Sequence, residues 1–250
     1  MGNEARGELV RSYLDGSIGR RVFVRRLLAA GISAAAAISY ADVLAPSTAR
    51  AAARRARGAD VRGGFHLPNG FYNFYVGVVD NQFGPASVQV YRRGDSVSWG
   101  FVGSKDHSAT ETSGLDFFDS GYAPPNRIMF TMVFPAAGTF PYHCKDPNHA
   151  GTMKGNVKVL VGRKPAFGQV GTQFTIKWAQ KAADPGYVFD VQIRRPSDAS
   201  FKAFRTGVTG SLTHFTPQQP GQYQFRGRVR NPSTGHASGY SPPSSISVFS

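Results

Sequence analysis

Tyr142-His-Cys-Lys-Asp-Pro-Asn-His-Ala-Gly-Thr-Met-Lys-Gly155 decides how the rest of the chain is read. It contains the single cysteine of the protein, Cys144, with His149 five residues on and Met153 four beyond that. A soft thiolate, a borderline imidazole and a thioether converging from one short loop suit copper. Two His and one Cys in a plane with a weak, long axial Met make up the donor set of blue-copper electron-transfer sites. The loop supplies three of those four donors, so a second His has to come from elsewhere. His107 is the candidate, in Gly103-Ser-Lys-Asp-His-Ser-Ala-Thr110 after the strand-like run Ser96 to Phe101. The bland alternative makes Cys144 a small buried hydrophobe, Met153 core, and the histidines surface groups. A lone cysteine in an exported chain, with no disulfide partner, weighs against it.

Working outward, Gly94-Asp-Ser-Val-Ser-Trp99, Phe118-Asp-Ser-Gly121 and Ala137-Gly-Thr-Phe-Pro-Tyr-His-Cys144 join the ligand loop in a pattern that resembles the cupredoxins, the plastocyanin and azurin family. The Cys-x4-His-x3-Met-Lys-Gly spacing is similar to that of azurin, since plastocyanins have a shorter gap between Cys and His. The resemblance covers about residues 70 to 162. It implies one type 1 copper held by His107, Cys144, His149 and Met153, an electron carrier, and electron exit through the imidazole edge of His149.

The flanking strands agree. From Phe71 to Val79 both alternating sets are apolar, as expected of a strand buried between layers. Val88–Tyr91, Val97–Phe101, Phe130–Phe134, Thr139–Tyr142 and Val157–Val161 follow, with Asn81 to Pro85, Arg92 to Asp95 and Pro135 to Gly138 as turns. About seven short strands at this spacing predict a β-sandwich. Trp99 and Phe101 alternate into its core. Gly162-Arg-Lys-Pro165 reads as a short hinge, after which Phe174–Trp178, Tyr187–Arg194, Phe201–Arg205, Tyr223–Val229 and Gly239–Val248 continue the β pattern. With Trp178 early, Tyr223-x-Phe225 after Pro220-Gly221, and Ser241-Pro242 before the last strand, this part resembles a fibronectin type III module. The expected fold is all-β, a cupredoxin Greek-key sandwich followed by an immunoglobulin-like sandwich. One cysteine excludes any internal disulfide, so each domain is expected to rest on its own core.

Ahead of these lies an export signal. Gly19-Arg-Arg-Val-Phe-Val-Arg25, the Ala-rich stretch Leu27 to Ala45 and the small residues Ala49-Arg-Ala51 give a charged region, an apolar region and a cleavage site. Arg20-Arg21 followed by Phe23 resembles a twin-arginine signal for crossing a bacterial membrane, though Gly19 and Val24 depart from that motif. A spanning helix needs about 20 predominantly apolar residues, and Ser39, Tyr40 and Asp42 interrupt this one, so cleavage is favoured over an anchor. The domains are thus expected at 1–51 (signal), 52–67 (linker), 68–162 (cupredoxin) and 165–250 (fibronectin-like), in a protein that is periplasmic, surface-bound or secreted.

The net charge is +14, and residues 1–51 hold seven Lys or Arg against four Asp or Glu, so +11 of it lies beyond Ala51. A basic surface favours acidic partners: an acidic redox protein, an anionic cell-wall polymer or membrane head groups. In the second domain Gln224, Arg226, Arg228 and Arg230 share the face opposite Tyr223, Phe225 and Val229. Arg194, Arg195, Lys202 and Arg205 lie near in sequence. A solvated sheet face is the favoured reading, because interleaved exposed aromatics for single-strand nucleic acid are missing; export also argues against a nucleic-acid role. A monomer is expected.

No catalytic residue is assigned. His143 neighbours Cys144 as in multicopper oxidases, but no His-x-His pair accompanies it, and successive strand side chains point to opposite faces. Lys145 and Asp146 on the ligand loop are candidates for tuning partner docking. Asp106, Glu111, Asp116 and Asp119 are expected at most to orient a ligand His. Two rival functions are a copper carrier, for which an exposed Met- and His-rich set is missing, and a surface-binding module in which the fibronectin-like domain does the work.

Overall fold

The computed structural model describes residues 9, 12–13, 17–29, 65–66, 71–124, 129–149 and 151–250. The Ala-rich stretch beyond residue 29, the cleavage site and most of the linker lie outside these. Arg20 to Ala29 form a helix, α1, on which Phe23 is fully buried and stacks on Tyr13 at 4.3 Å. Leu9, Tyr13, Phe23 and Leu27 pack with Val79, and Val102 adjoins them. Among the described residues no helix is long and apolar enough to cross a membrane.

The first half is built from β1 (Phe65–His66), β2 (Tyr72–Val79), β3 (Gln82–Gly84), β4 (Ser87–Val90), β5 (Ser96–Phe101), β6 (Thr110–Glu111), β7 (Phe130–Val133), β8 (Gly138–His143) and β9 (Lys154–Val159). One sheet runs β1-β2-β5-β7 with β3 on β2, and the other runs β4-β9-β8-β6. The pairs β2–β5 and β4–β9 are parallel and the rest antiparallel, so the chain crosses between sheets in a Greek-key manner. β5 is buried along its whole length. The core lies between the two sheets, where Trp99 meets Tyr142 edge-on at 5.3 Å and Phe118 at 5.1 Å. Aromatic rings at such separations contribute about 0.5–1.5 kcal/mol beyond the area they bury.

The second half contains β10 (Gly162–Lys164), β11 (Phe167–Gln169), β12 (Phe174–Lys177), β13 (Val188–Arg194), β14 (Lys202–Val208), β15 (Leu212–Phe215), β16 (Gly221–Arg230) and β17 (Ser244–Phe249). A three-stranded sheet β10-β12-β15 faces a five-stranded sheet β11-β17-β16-β13-β14. Phe174, Ile176, Ile193, Phe225 and Ile246 are buried between them. β16 alternates strictly, with Tyr223, Phe225, Gly227 and Val229 inward. The all-β architecture of two sandwiches is therefore present.

Two differences from expectation stand out. The segment read as a hinge is a strand: Gly162–Lys164 pair with β12 from Lys177 back to Thr175. And the halves do not rest on separate cores, because one continuous apolar cluster spans both. Gly227 faces Val161, Ala137 and Trp178, and the backbone amides of Ala137 and Thr139 bond Trp178 O (2.7 Å) and Gly239 O (2.8 Å). A connection too short to be a tether leaves its backbone groups beside the neighbouring sheet, and pairing satisfies them.

Candidate metal centre

Cys144 leaves the end of β8 with its side chain fully buried, while His143 before it is half-buried and on the opposite side of the strand. Its backbone N–H donates to Met153 O at 3.1 Å, and the N–H of Met153 donates to His149 O at 2.8 Å. These two bonds close the loop from 144 to 153 and hold its donor residues at one end of the sandwich. A turn inside it forms because Asp146 Oδ1 accepts the Asn148 N–H (2.8 Å) and Asp146 O accepts the His149 N–H (2.9 Å), the local side-chain bonding Asp favours in turns. Gly155 is required opposite Tyr142 across the β8–β9 pair, since a Cβ there would strike the Tyr142 ring and Ala86 O.

His107 arrives from the other side. It bridges Ala123 through two backbone bonds of 3.1 and 2.8 Å and is completely buried. Its Nδ1 lies 3.8 Å from Cys144 Sγ, and its ring is 4.9 Å from that of His149. One ligand-capable atom from each of His107, Cys144 and His149 falls within 4.8 Å of the others, and all three residues are buried. Met153 is fully buried in the same apolar cluster as Cys144. Three of the four sequence candidates thus converge at one end of the first sandwich, and Met153 is buried and tied to Cys144 and His149 through backbone bonds.

The groups around them were not all foreseen. Asp80, in the turn between β2 and β3, accepts from His107 Nε2 at 3.2 Å and from the backbone N–H of Ser104 (2.8 Å) and Lys105 (3.2 Å). Burial works to raise this carboxyl, but the bonds from Ser104, His107 and Lys105 outweigh it and hold it below the usual carboxylate range. Gly103 permits the approach, because a Cβ there would clash with Asp80. Burial pushes the His107 imidazole below its ordinary value, His149 adds to the effect, and Asp80 opposes it. Asp80 was missed because it lies 27 residues from His107 in sequence. Of the carboxylates singled out from sequence, Asp119 pairs with Lys145 at 2.9 Å, and Glu111 accepts the Ser113 N–H. Ser108 was also missed. Its N–H donates to Cys144 Sγ at 3.4 Å and its Oγ accepts the Lys145 N–H at 2.8 Å.

Two buried imidazoles beside one buried cysteine sulfur form a donor set whose chemistry suits a copper ion. His149 Nδ1 is buried and has no hydrogen-bond partner among the described residues; its nearest carboxylate oxygen, Asp146 Oδ2, is 4.0 Å away. With Nε2 of His107 held by Asp80, its Nδ1 is left to face Cys144.

No protein-family model matches the chain, and no curated protein matches it. Among solved structures it is similar to a reduced Cu(I) form of an amicyanin variant at pH 4, with 21% identity over 34% of this chain and 79% of the other, TM-score 0.29. A second reduced amicyanin variant gives 20% identity over 35% and 81%, TM-score 0.30. An oxidised variant gives 19% identity over 42% and 87%, TM-score 0.29. Scores this low carry no functional weight, and the sandwich stands on the sheets and core described above.

Proposed function

We propose that the chain is an exported type 1 copper protein, in which His107, Cys144, His149 and Met153 would hold the ion, that passes single electrons between redox partners. The observation carrying this reading is the buried convergence of two imidazoles and one thiolate within 4.8 Å, with His149 Nδ1 unpartnered. Copper, when bound, supplies a one-electron Cu(II)/Cu(I) couple. The chain does the rest. Asp80 locks the His107 ring, the Ser108 N–H donates to the sulfur and thereby bears on the potential, and the apolar cluster excludes water. His149 is the electron exit, being 5% exposed where His107 and Cys144 are 0%.

In this reading residues 1–51 are the export signal, 52–67 a linker, 68–162 the copper domain and 165–250 a fibronectin-like domain. The carrier is a monomer with no catalytic residue of its own, and its basic charge suits an acidic redox partner.

Voltammetry of the copper-loaded chain, with a Cu(I) chelator present, separates this from copper delivery. An electron carrier gives a reversible one-electron wave and keeps its metal through repeated cycles. Loss of copper to the chelator on the first reduction would assign the chain to delivery instead.

A further inference from the structure

The outer face of the five-stranded sheet carries an ordered track of side chains that the metal centre does not use. Gln222, Gln224, Arg226, Arg228 and Arg230 of β16 face outward. The Arg226 guanidinium lies between two rings, 4.2 Å from the centroid of Phe201 and 4.7 Å from that of Tyr240. Arg228 continues the stack on Tyr240 at 4.8 Å, and Arg194 flanks Phe201 at 5.5 Å. The aromatics missing from the sequence pattern are thus supplied by other elements. Asp190 takes up Arg228 and Arg230 at 3.0 and 2.8 Å. Arg194 and Arg226 have no carboxylate partner among the described residues, and Arg226 bonds only the amide of Gln192 through Nε at 2.8 Å. Toward the other end of β16, the outward residues of β17 are Ser245, Ser247 and Phe249. Phe167 pairs beside Ser247, and Phe167 and Phe249 are 67% and 57% exposed.

We infer that this face binds an acidic polysaccharide. A guanidinium lodged against aromatic rings keeps its planar fork, which can meet a carboxylate through two parallel bonds. Alternate residues along a strand stand about 6.7 Å apart, so Gln222, Gln224 and Arg226 present polar groups at repeated intervals with Arg194 opposite Gln224 on the neighbouring strand, a spacing that suits a polymer of charged sugars. Between the cations and the exposed phenylalanines lie amides and hydroxyls, Gln222, Gln224, Ser245 and Ser247, which match sugar hydroxyls. Phe167 and Phe249 offer flat apolar faces to sugar rings. Single-stranded nucleic acid is disfavoured because the faces of Phe201 and Tyr240 are already covered by guanidiniums, leaving no free base-stacking platform there. A bilayer is disfavoured because the uncharged polar stripe gives head groups and tails nothing to hold. The inference is independent of the copper reading.

The test titrates the full chain into fluorescent alginate oligomers, with dextran of equal length, oligothymidine and phosphatidylglycerol vesicles as comparisons. Alginate binds, more weakly at high salt, and dextran does not. Arg226→Lys keeps the charge but loses the fork, and weakens alginate binding at least about tenfold, the worth of one charge-assisted hydrogen bond. Phe167→Ser with Phe249→Ser alters only exposed positions and weakens it by a similar factor. Lys158→Gln with Lys181→Gln removes two charges elsewhere and leaves affinity within about twofold, as expected of surface charges away from the contact. Failure to bind alginate, tighter binding to oligothymidine or vesicles, or an equal loss in the lysine control overturns the inference. An Arg226→Lys protein that folds and binds like the parent overturns it too. Should Arg226→Lys not fold, the phenylalanine pair decides.

Discussion

Two of the places where the protein buries polar groups treat them in opposite ways. In the second sandwich Asp190 is almost wholly buried, yet both its oxygens are satisfied. Oδ1 accepts from Gly207 N–H and Arg230 Nη2 (3.0 and 3.1 Å), and Oδ2 from Nε of Arg228 and Arg230 (3.0 and 2.8 Å). Burial alone raises this carboxyl, but the Arg230, Gly207 and Arg228 bonds prevail and hold it at about 2. At the candidate metal centre Cys144 Sγ accepts one long bond from the Ser108 N–H and faces His107 Nδ1 at 3.8 Å, while His149 Nδ1 meets no partner among the described residues. A buried polar group left unpaired costs about 1–3 kcal/mol. Other buried atoms also lack partners among the described residues, Glu111 Oε2 and Ser244 Oγ among them, but those two are not among the three convergent donors. Burial of polar groups is therefore no sign of a site by itself. Convergence of incompletely satisfied metal donors is.

Substitutions at four positions and one pH profile put that contrast to the test, the largest effects first. The largest effect is metal-linked: Cu(II) at a thousandfold above its Kd stabilises the folded chain by about 4 kcal/mol, seen as a rise in melting temperature. His149→Ala removes the gain, and a gain that survives the substitution would mean that copper binds elsewhere. Next, Asp190→Ala strands two arginines and destabilises the protein by on the order of 3 kcal/mol in denaturant unfolding, without altering copper binding. The same pair predicts a pH dependence. Because the folded carboxyl sits at about 2, below its ordinary 3.8, its stabilisation is complete above about pH 4 and disappears as pH falls toward 2. A flat stability profile across that window contradicts the assignment.

A third effect is smaller and confined to the metal. Asp80→Asn leaves the fold in place but loosens the His107 ring, and competition with a chelator should show copper held about 10- to 100-fold more weakly. Unchanged affinity would remove Asp80 from its positioning role. Smallest of all, Lys145→Gln breaks the exposed pair with Asp119 and shifts stability by no more than about 1 kcal/mol. A larger loss would show that the Lys145–Asp119 pair braces the ligand loop.

How much of this was legible depended on whether the information was local. Cys144, His149 and Met153 stand within ten residues, and their donor types alone narrow the metal. Val157 to Val161 and Tyr223 to Val229 alternate long enough to declare strands. β1, β3, β6, β10 and β11 are two or three residues long, too short to repeat the two-residue period even once, so Gly162–Lys164 passed for a hinge. Asp80 and Ser108 act through contacts that span 27 and 36 residues, which no spacing rule reaches. The arginine face illustrates both cases. Its 226, 228, 230 alternation was visible, whereas Phe201 and Tyr240 join it only when their loops fold over the sheet.

The most direct test of the copper reading is the visible and EPR spectrum of the chain with one equivalent of Cu(II), recorded beside Cys144→Ser. A copper site built on Cys144 gives an intense thiolate-to-copper band with a type 1 EPR signal in the parent protein, both lost in the variant. A colourless parent, or a copper signal indifferent to Cys144→Ser, would contradict it.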